Sequence, residues 1–150
     1  MDEAVIKYYR RLLREEFPNA GALAQATVFV EAVGGRLIHC GNTGNYMQLY
    51  FKVDDDRITT IKYLCACEPV ANVAVEILCN LVKGKTLDEA ASLTEEPFYQ
   101  FLGTRDEKLR VKVAGLIQLL NEGIAQYRNP HDAPSREPKN KISWDGNLSR

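Results

Sequence analysis

Two segments of alternating apolar and polar residues, separated by three aspartates, constrain the fold of this chain more than any other feature. Residues 46–53 place an apolar side chain at every second position, the pattern of a strand with one buried face. Asp54-Asp55-Asp56 supplies turn-forming side chains, and the β-branched segment 58–63 follows it. The sequence therefore predicts an antiparallel β-hairpin.

A Cys-x-Cys pair, Cys65 and Cys67, follows the hairpin and precedes a predicted helix. Pro69 suits the first turn of that helix, and Gly84 ends it. Its apolar residues recur at three- and four-residue spacing: Val70, Val73, Ala74, Ile77, Leu78 and Leu81. The cysteine pair thus lies at the seam between a strand and a helix, at a rim that solvent and partner proteins can reach.

The flanking segments predict four more helices and one more strand. Helices are expected over 3–17 and 96–102, a strand over 27–33, and either a strand or a loop over 36–39. Thr86 with Glu89 and Thr104 with Glu107 form capping-box patterns, the first for a short helix and the second for a long one. The core stripe predicted for the long helix is Leu109, Val113, Leu116, Ile117, Leu120 and Ile124.

Together these segments predict an α+β fold: a three-stranded antiparallel sheet with helices packed on one face and an N-terminal helix alongside. Met47, Leu49 and the other apolar residues of their strand are expected to share one core with the helix over 69–83 and the long helix. Residues 1–128 form one domain, and residues 129–150 read as a polar, flexible tail.

Composition excludes several classes of function. With 150 residues, 45% of them apolar, the chain can bury a core without disulfides or metal. Lys plus Arg number 19 against 20 Asp plus Glu, so no overall field favours nucleic acid or a membrane. Four cysteines at unrelated spacings, without a secretory signal or a membrane-length apolar run, predict reduced thiols in a cytoplasmic protein.

No catalytic motif is recognisable, and the chain is not expected to be an enzyme. It has no phosphate-binding glycine loop and no nucleophile elbow. Its two histidines, His39 and His131, lie far apart in the sequence.

Four segments, taken in order, resemble the NifU/IscU family of iron–sulfur cluster assembly scaffolds. They are Asn19-Ala20-Gly21, residues 47–54, Cys67, and Lys83-Gly84-Lys85 with the five residues that follow. The resemblance covers roughly residues 8 to 127. It implies an IscU/NifU N-terminal-like fold, an iron–sulfur cluster as the bound group, and a cysteine desulfurase and cluster acceptor proteins as partners.

The resemblance also implies a ligand set, and this chain departs from it. Family scaffolds use three cysteines together with an aspartate and a histidine. The Cys-Gly-Asp slot falls on Thr43-Gly44-Asn45 without a gap, or on Cys40-Gly41-Asn42 if three residues are inserted after it. The second cysteine matches Cys67, with Cys65 beside it. The third matches Lys112, which supplies no thiolate.

Three functions follow from these residues. A divergent scaffold would bind iron through Cys40, Cys65 and Cys67; a zinc site would use His39 with Cys40 and Cys67; and a cluster-free interaction module would keep the fold alone. Cys67 is expected near the loop 40–45 and near Lys112.

Simpler interpretations stand beside these. Cys65 and Cys67 suit a strand end as two small apolar residues, and Cys79 suits the core. Lys112 is either an ordinary solvated helix lysine or a fixed cation in the vacated ligand pocket.

Overall fold

The computed structural model describes residues 2–34, 36–38 and 44–129. The predicted tail beyond residue 129 and the loop 39–43 lie outside these ranges. The described chain forms the elements α1 (Glu3–Arg14), β1 (Val28–Val33), β2 (Tyr46–Asp54), β3 (Arg57–Ala66), α2 (Pro69–Val82), α3 (Leu87–Ala91), α4 (Glu96–Leu102) and α5 (Glu107–Arg128).

The three strands form one antiparallel sheet in the order β1-β2-β3, which confirms the predicted α+β architecture. The hairpin turn adopts left-handed backbone conformations at Asp55 and Asp56, with φ of 51° and 61°. Aspartate tolerates this region better than most residues because its short polar side chain bonds locally. The aspartate run therefore fixes the register, in which Tyr46 pairs with Ala66 at the far end.

One face of the sheet carries the core, as the alternating pattern of β2 predicted. Met47, Leu49 and Phe51 are fully buried, while the intervening residues of β2 remain partly exposed. The predicted helix residues join the same cluster: Val73, Ile77, Val113, Leu116 and Leu120. The helices thus cover the inward face of the sheet.

Two short segments cover the outer edge of β3. Gly21 donates to the Tyr63 carbonyl at 2.8 Å, and Tyr63 donates to the Asn19 carbonyl at 3.2 Å. Farther along, Ile58 exchanges backbone hydrogen bonds with residues 84–85, at 2.7 and 2.8 Å. These segments therefore pair with β3 at Tyr63 and Ile58 and shield those parts of its edge from pairing with another chain.

Several details differ from the sequence prediction. α1 ends at Arg14 rather than residue 17, because Glu16 and Phe17 take positive φ values. Segment 36–38 is a turn, which agrees with the loop alternative and not with the strand. α5 begins later than Thr104 suggested, since the Asp106 side chain accepts the backbone N–H three residues on and caps the helix. Ile117 is partly exposed and packs at the border of the core.

Among the described helices, none combines the length and the apolar character needed to cross a membrane.

Candidate functional site at the end of the sheet

The end of the sheet where β2 begins and β3 finishes brings several chain segments together. Gly34, just after β1, donates to the Asn45 carbonyl at 2.8 Å, and the next residue, Tyr46, pairs with Ala66. Cys67 and Glu68 follow directly and lead into α2. We call the region formed by Gly34, Asn45, residues 65–68 and Lys112 the rim.

Lys112 of α5 reaches into the rim and is almost wholly buried, with 3% of its surface exposed. Its ammonium donates to the Ile38 carbonyl at 2.7 Å and lies 2.7 Å from a Glu68 carboxylate oxygen. The interpretation of Lys112 as an ordinary solvated lysine is therefore wrong. The ammonium links three separate segments: α5, the turn 36–38, and the entry to α2.

The turn 36–38 is held against α5 at two further points. The Arg36 guanidinium contacts both carboxylate oxygens of Glu122, at 2.7 and 2.8 Å. Between this pair and Lys112, α5 has Gly115 where the turn passes over it, and a Cβ there would meet the Leu37 backbone. These contacts fix the Ile38 carbonyl beside the ammonium.

Cys65 lies at the end of β3, on the same strand face as the buried residues Ile61 and Tyr63, and is partly buried. Burial raises the pKa of the Cys65 thiol to about 12, and the positive charge of Lys112 opposes this shift only in part. Cys65 is therefore a neutral thiol at physiological pH. It becomes a metal ligand only when a metal displaces its proton.

The other described cysteines differ in burial. Cys79 is a free thiol fully buried in the core, as predicted. Cys67 is partly buried and packs against the edge of the core. The expectation that all four cysteines are reduced thiols stays a prediction for Cys40 and Cys67.

His39 and Cys40 lie outside the described residues, as does most of the segment that matches the Cys-Gly-Asp slot. Within the described ranges, no group of three or more His, Cys, Asp or Glu side chains is placed to hold a metal ion. The ligand sets proposed from the sequence, with Cys40, Cys67 and either Cys65 or His39, stay predictions.

Sequence reasoning missed two groups at the rim. Glu68 could have been predicted, because it is an acidic residue directly after Cys67 and Lys112 was expected near Cys67. The Ile38 carbonyl had none, since a backbone oxygen is identical at every position and only the path of the turn directs it to Lys112.

The fold is that of an α+β domain with a cysteine-bearing rim at one end of an antiparallel sheet. The NifU-like N terminal domain family matches residues 15–133. Because that span is well over half of the chain, the chain belongs to this family.

Solved structures agree on the fold. A candidate iron–sulfur cluster assembly scaffold protein for the SUF system, from Fervidobacterium islandicum AW-1, is 18% identical with a TM-score of 0.60; the match covers 83% of this chain and 96% of that one. The N-terminal part of a nitrogen-fixing NifU-like protein from Brucella abortus is 16% identical with a TM-score of 0.62, covering 88% and 95%. No curated protein matches the sequence.

Proposed function

We propose that this chain is an iron–sulfur cluster assembly scaffold whose cluster site lacks one thiolate because Lys112 occupies its place. Membership of the NifU-like N terminal domain family supports the scaffold role. The loss of one thiolate is supported by the buried Lys112 ammonium, which donates to the Ile38 carbonyl and pairs with Glu68. The resemblance assigns the third cysteine to this position.

The chemistry of the rim favours weak cluster binding. A scaffold must hold its cluster through a few accessible thiolates, so that an acceptor can remove it. A protonated ammonium cannot ligate iron, and its positive charge repels a metal cation at short range. The remaining ligands are Cys40, Cys67 and Cys65. The isolated chain therefore takes up little cluster.

The partners follow from the same role. A cysteine desulfurase supplies sulfur to the rim, and acceptor proteins receive the assembled cluster. A partner thiol at the rim would complete the ligand set that this chain leaves short.

The test is anaerobic reconstitution with iron, sulfide and a thiol reductant, followed by visible absorption and by iron, sulfide and zinc analysis. We expect Lys112→Cys to raise the cluster content severalfold above that of the unmodified chain, and Cys67→Ala in the same background to remove the gain. Lys108→Cys is the matched control because Lys108 lies one turn earlier on α5 and is exposed. It should gain nothing.

Each outcome separates one function from the others. A stoichiometric cluster in the unmodified chain, with no gain from Lys112→Cys, shows that another residue completes the site. Zinc bound in place of the cluster favours the zinc site that includes His39. No uptake by any variant favours a cluster-free interaction module, which the Lys112–Glu68 ion pair also suits because it closes the rim without a metal.

A further inference from the structure

The outer face of α1 carries a row of four cations. Lys7, Arg10, Arg11 and Arg14 recur at intervals of three and four residues, so they share one side of the helix, and all four are exposed. The opposite side of α1 packs into the core through Val5 and Leu12. The row is therefore fixed on the surface by a well-packed helix.

Among the described residues, Lys7, Arg10 and Arg14 form no ion pair with an acidic side chain, and this distinguishes the two arginines from most other described arginines. Five of the eight arginines in the described ranges pair with a carboxylate: Arg11, Arg36, Arg105, Arg110 and Arg128. Arg57 donates to a backbone carbonyl. Within the same ranges, Arg10 and Arg14 have neither kind of contact, and they lie one turn apart.

The concentration of positive charge is local. The whole chain has a net charge of −1, so the row does not reflect a basic composition. Unpaired arginines that neighbour one another repel, and a surface that keeps them together is suited to an anionic partner.

Exposed apolar side chains flank the row on both sides. Leu13 is 52% exposed on α1 and Phe101 is 47% exposed on α4. Phe101 packs edge-on against Tyr8 at 5.4 Å between ring centroids, and the Arg11 guanidinium lies 5.8 Å from the Tyr8 ring. We call the four cations with Leu13 and Phe101 the α1 face.

We propose that the α1 face docks an acidic amphipathic helix of a partner protein. Its carboxylates would pair with Arg10, Arg14 and Lys7, since a guanidinium fork matches a carboxylate in two parallel hydrogen bonds. Its apolar side chains would cover Leu13 and Phe101. Arginines beside exposed apolar residues are the composition typical of binding hot spots.

Two other anionic partners fit the α1 face less well. Binding to an anionic membrane needs a continuous apolar stripe facing the lipid, but the apolar stripe of α1 is buried in the protein. Nucleic-acid binding is typical of basic domains, whereas this chain has a pI near 6.1 and offers one helix of four cations.

The test uses two fluorescein-labelled helical peptides. Both carry glutamates along one side; one has leucines on the adjacent side, and the other has serines there. We expect the leucine peptide to bind the full chain with a Kd in roughly the micromolar range and about tenfold more weakly to the variant Lys7→Glu/Arg10→Glu/Arg14→Glu. Leu13→Ser should reduce the preference for the leucine peptide over the serine peptide.

A matched variant controls for net charge. Lys83→Glu/Lys85→Glu/Lys108→Glu changes the charge by the same amount at exposed positions away from α1, and it should bind the leucine peptide as the unmodified chain does. Equal weakening by both triple variants overturns the proposal, as does equal binding of the two peptides. Tighter binding to phosphatidylserine vesicles or to a single-stranded RNA, lost with the α1 variant, also overturns it. Circular dichroism of each variant verifies that α1 remains folded.

Discussion

A Cβ atom on Gly115 would lie 2.2 Å from the carbonyl oxygen of Leu37. The turn 36–38 therefore crosses α5 at a point that admits no side chain, since real Cβ atoms do not approach an oxygen so closely. Gly115 is three residues after Lys112, on the same side of α5. The close approach of the turn to Gly115 thus places the Ile38 carbonyl next to the Lys112 ammonium.

Gly115→Ala is expected to destabilise the domain by about 2–3 kcal/mol, because the added methyl forces the backbone of the turn away from α5. The gain in helix propensity, about 1 kcal/mol, offsets only part of this. Urea unfolding followed by circular dichroism measures the change.

Gly123→Ala is the control for helix propensity. Its Cβ would meet side-chain atoms of Phe51 and Val28 at 3.1 Å, and side chains can move where a backbone carbonyl cannot. Its free energy of unfolding should stay within about 1 kcal/mol of the unmodified chain. A Gly115→Ala variant as stable as Gly123→Ala would show that the turn relaxes freely.

Lys112→Met is expected to lower the free energy of unfolding by about 1–3 kcal/mol. Methionine fills much of the lysine volume, but it leaves the Ile38 carbonyl buried without its donor. Glu68→Gln should cost about 1 kcal/mol or less, because the Glu68 side chain is 47% exposed and water can replace its partner. Equal losses for the two variants would indicate that the ion pair, and not the carbonyl bond, holds Lys112.

The sequence predicted the sheet and the core because their signals are local. The alternation along β2 and the three aspartates of the turn determine register within a few residues, and the helix stripes point to the same core. The position of Lys112 near Cys67 came from the resemblance alone.

The rim could be predicted only in part, because it depends on contacts between distant segments. From the sequence, Gly115 indicates only a less stable position within a helix. Its role becomes evident once the turn 36–38 is seen to pack against it. The left-handed backbone of Leu37, with φ of 58°, has no sequence signal at all. Whether Thr43 or Cys40 occupies the position of the first ligand stays open, because it depends on how residues 39–45 connect the turn to β2.

Stability should fall in alkaline solution as Cys65 titrates. Burial raises its pKa from near 9 to about 12, so the native state keeps the proton that the unfolded chain loses first. The raised pKa of Cys65 contributes to the free energy of unfolding in full below about pH 9. This contribution is lost as the pH rises toward 12, at up to about 1.4 kcal/mol per pH unit. Urea unfolding in reductant near pH 8, 9 and 10 measures the slope.

Cys65→Ala is the control for this pH dependence. Its free energy of unfolding should fall less steeply above pH 9, because the remaining slope then comes from other groups, such as Cys79, whose pKa burial also raises. Identical slopes for the variant and the unmodified chain would mean that the Cys65 thiol is reached by solvent.

Tyr63→Phe is expected to destabilise the domain by about 1–3 kcal/mol, because its hydroxyl donates at 2.8 Å to Glu76, a carboxylate with no exposed surface. The remaining donors to Glu76 are the side chain and backbone N–H of Asn19, at 2.8 and 3.2 Å. These bonds connect α2 to the segment that covers the edge of β3. Asn19→Ala should therefore couple to Tyr63→Phe in a double-mutant cycle.

Tyr99→Phe provides the matched control, since the Tyr99 hydroxyl also donates to a carboxylate, that of Glu95 at 2.7 Å. Glu95 is partly exposed, so water can replace the lost donor, and the loss should stay below about 1 kcal/mol. If Tyr63→Phe and Tyr99→Phe cost the same, or if the Asn19 and Tyr63 effects simply add, Glu76 does not depend on its buried donors as argued.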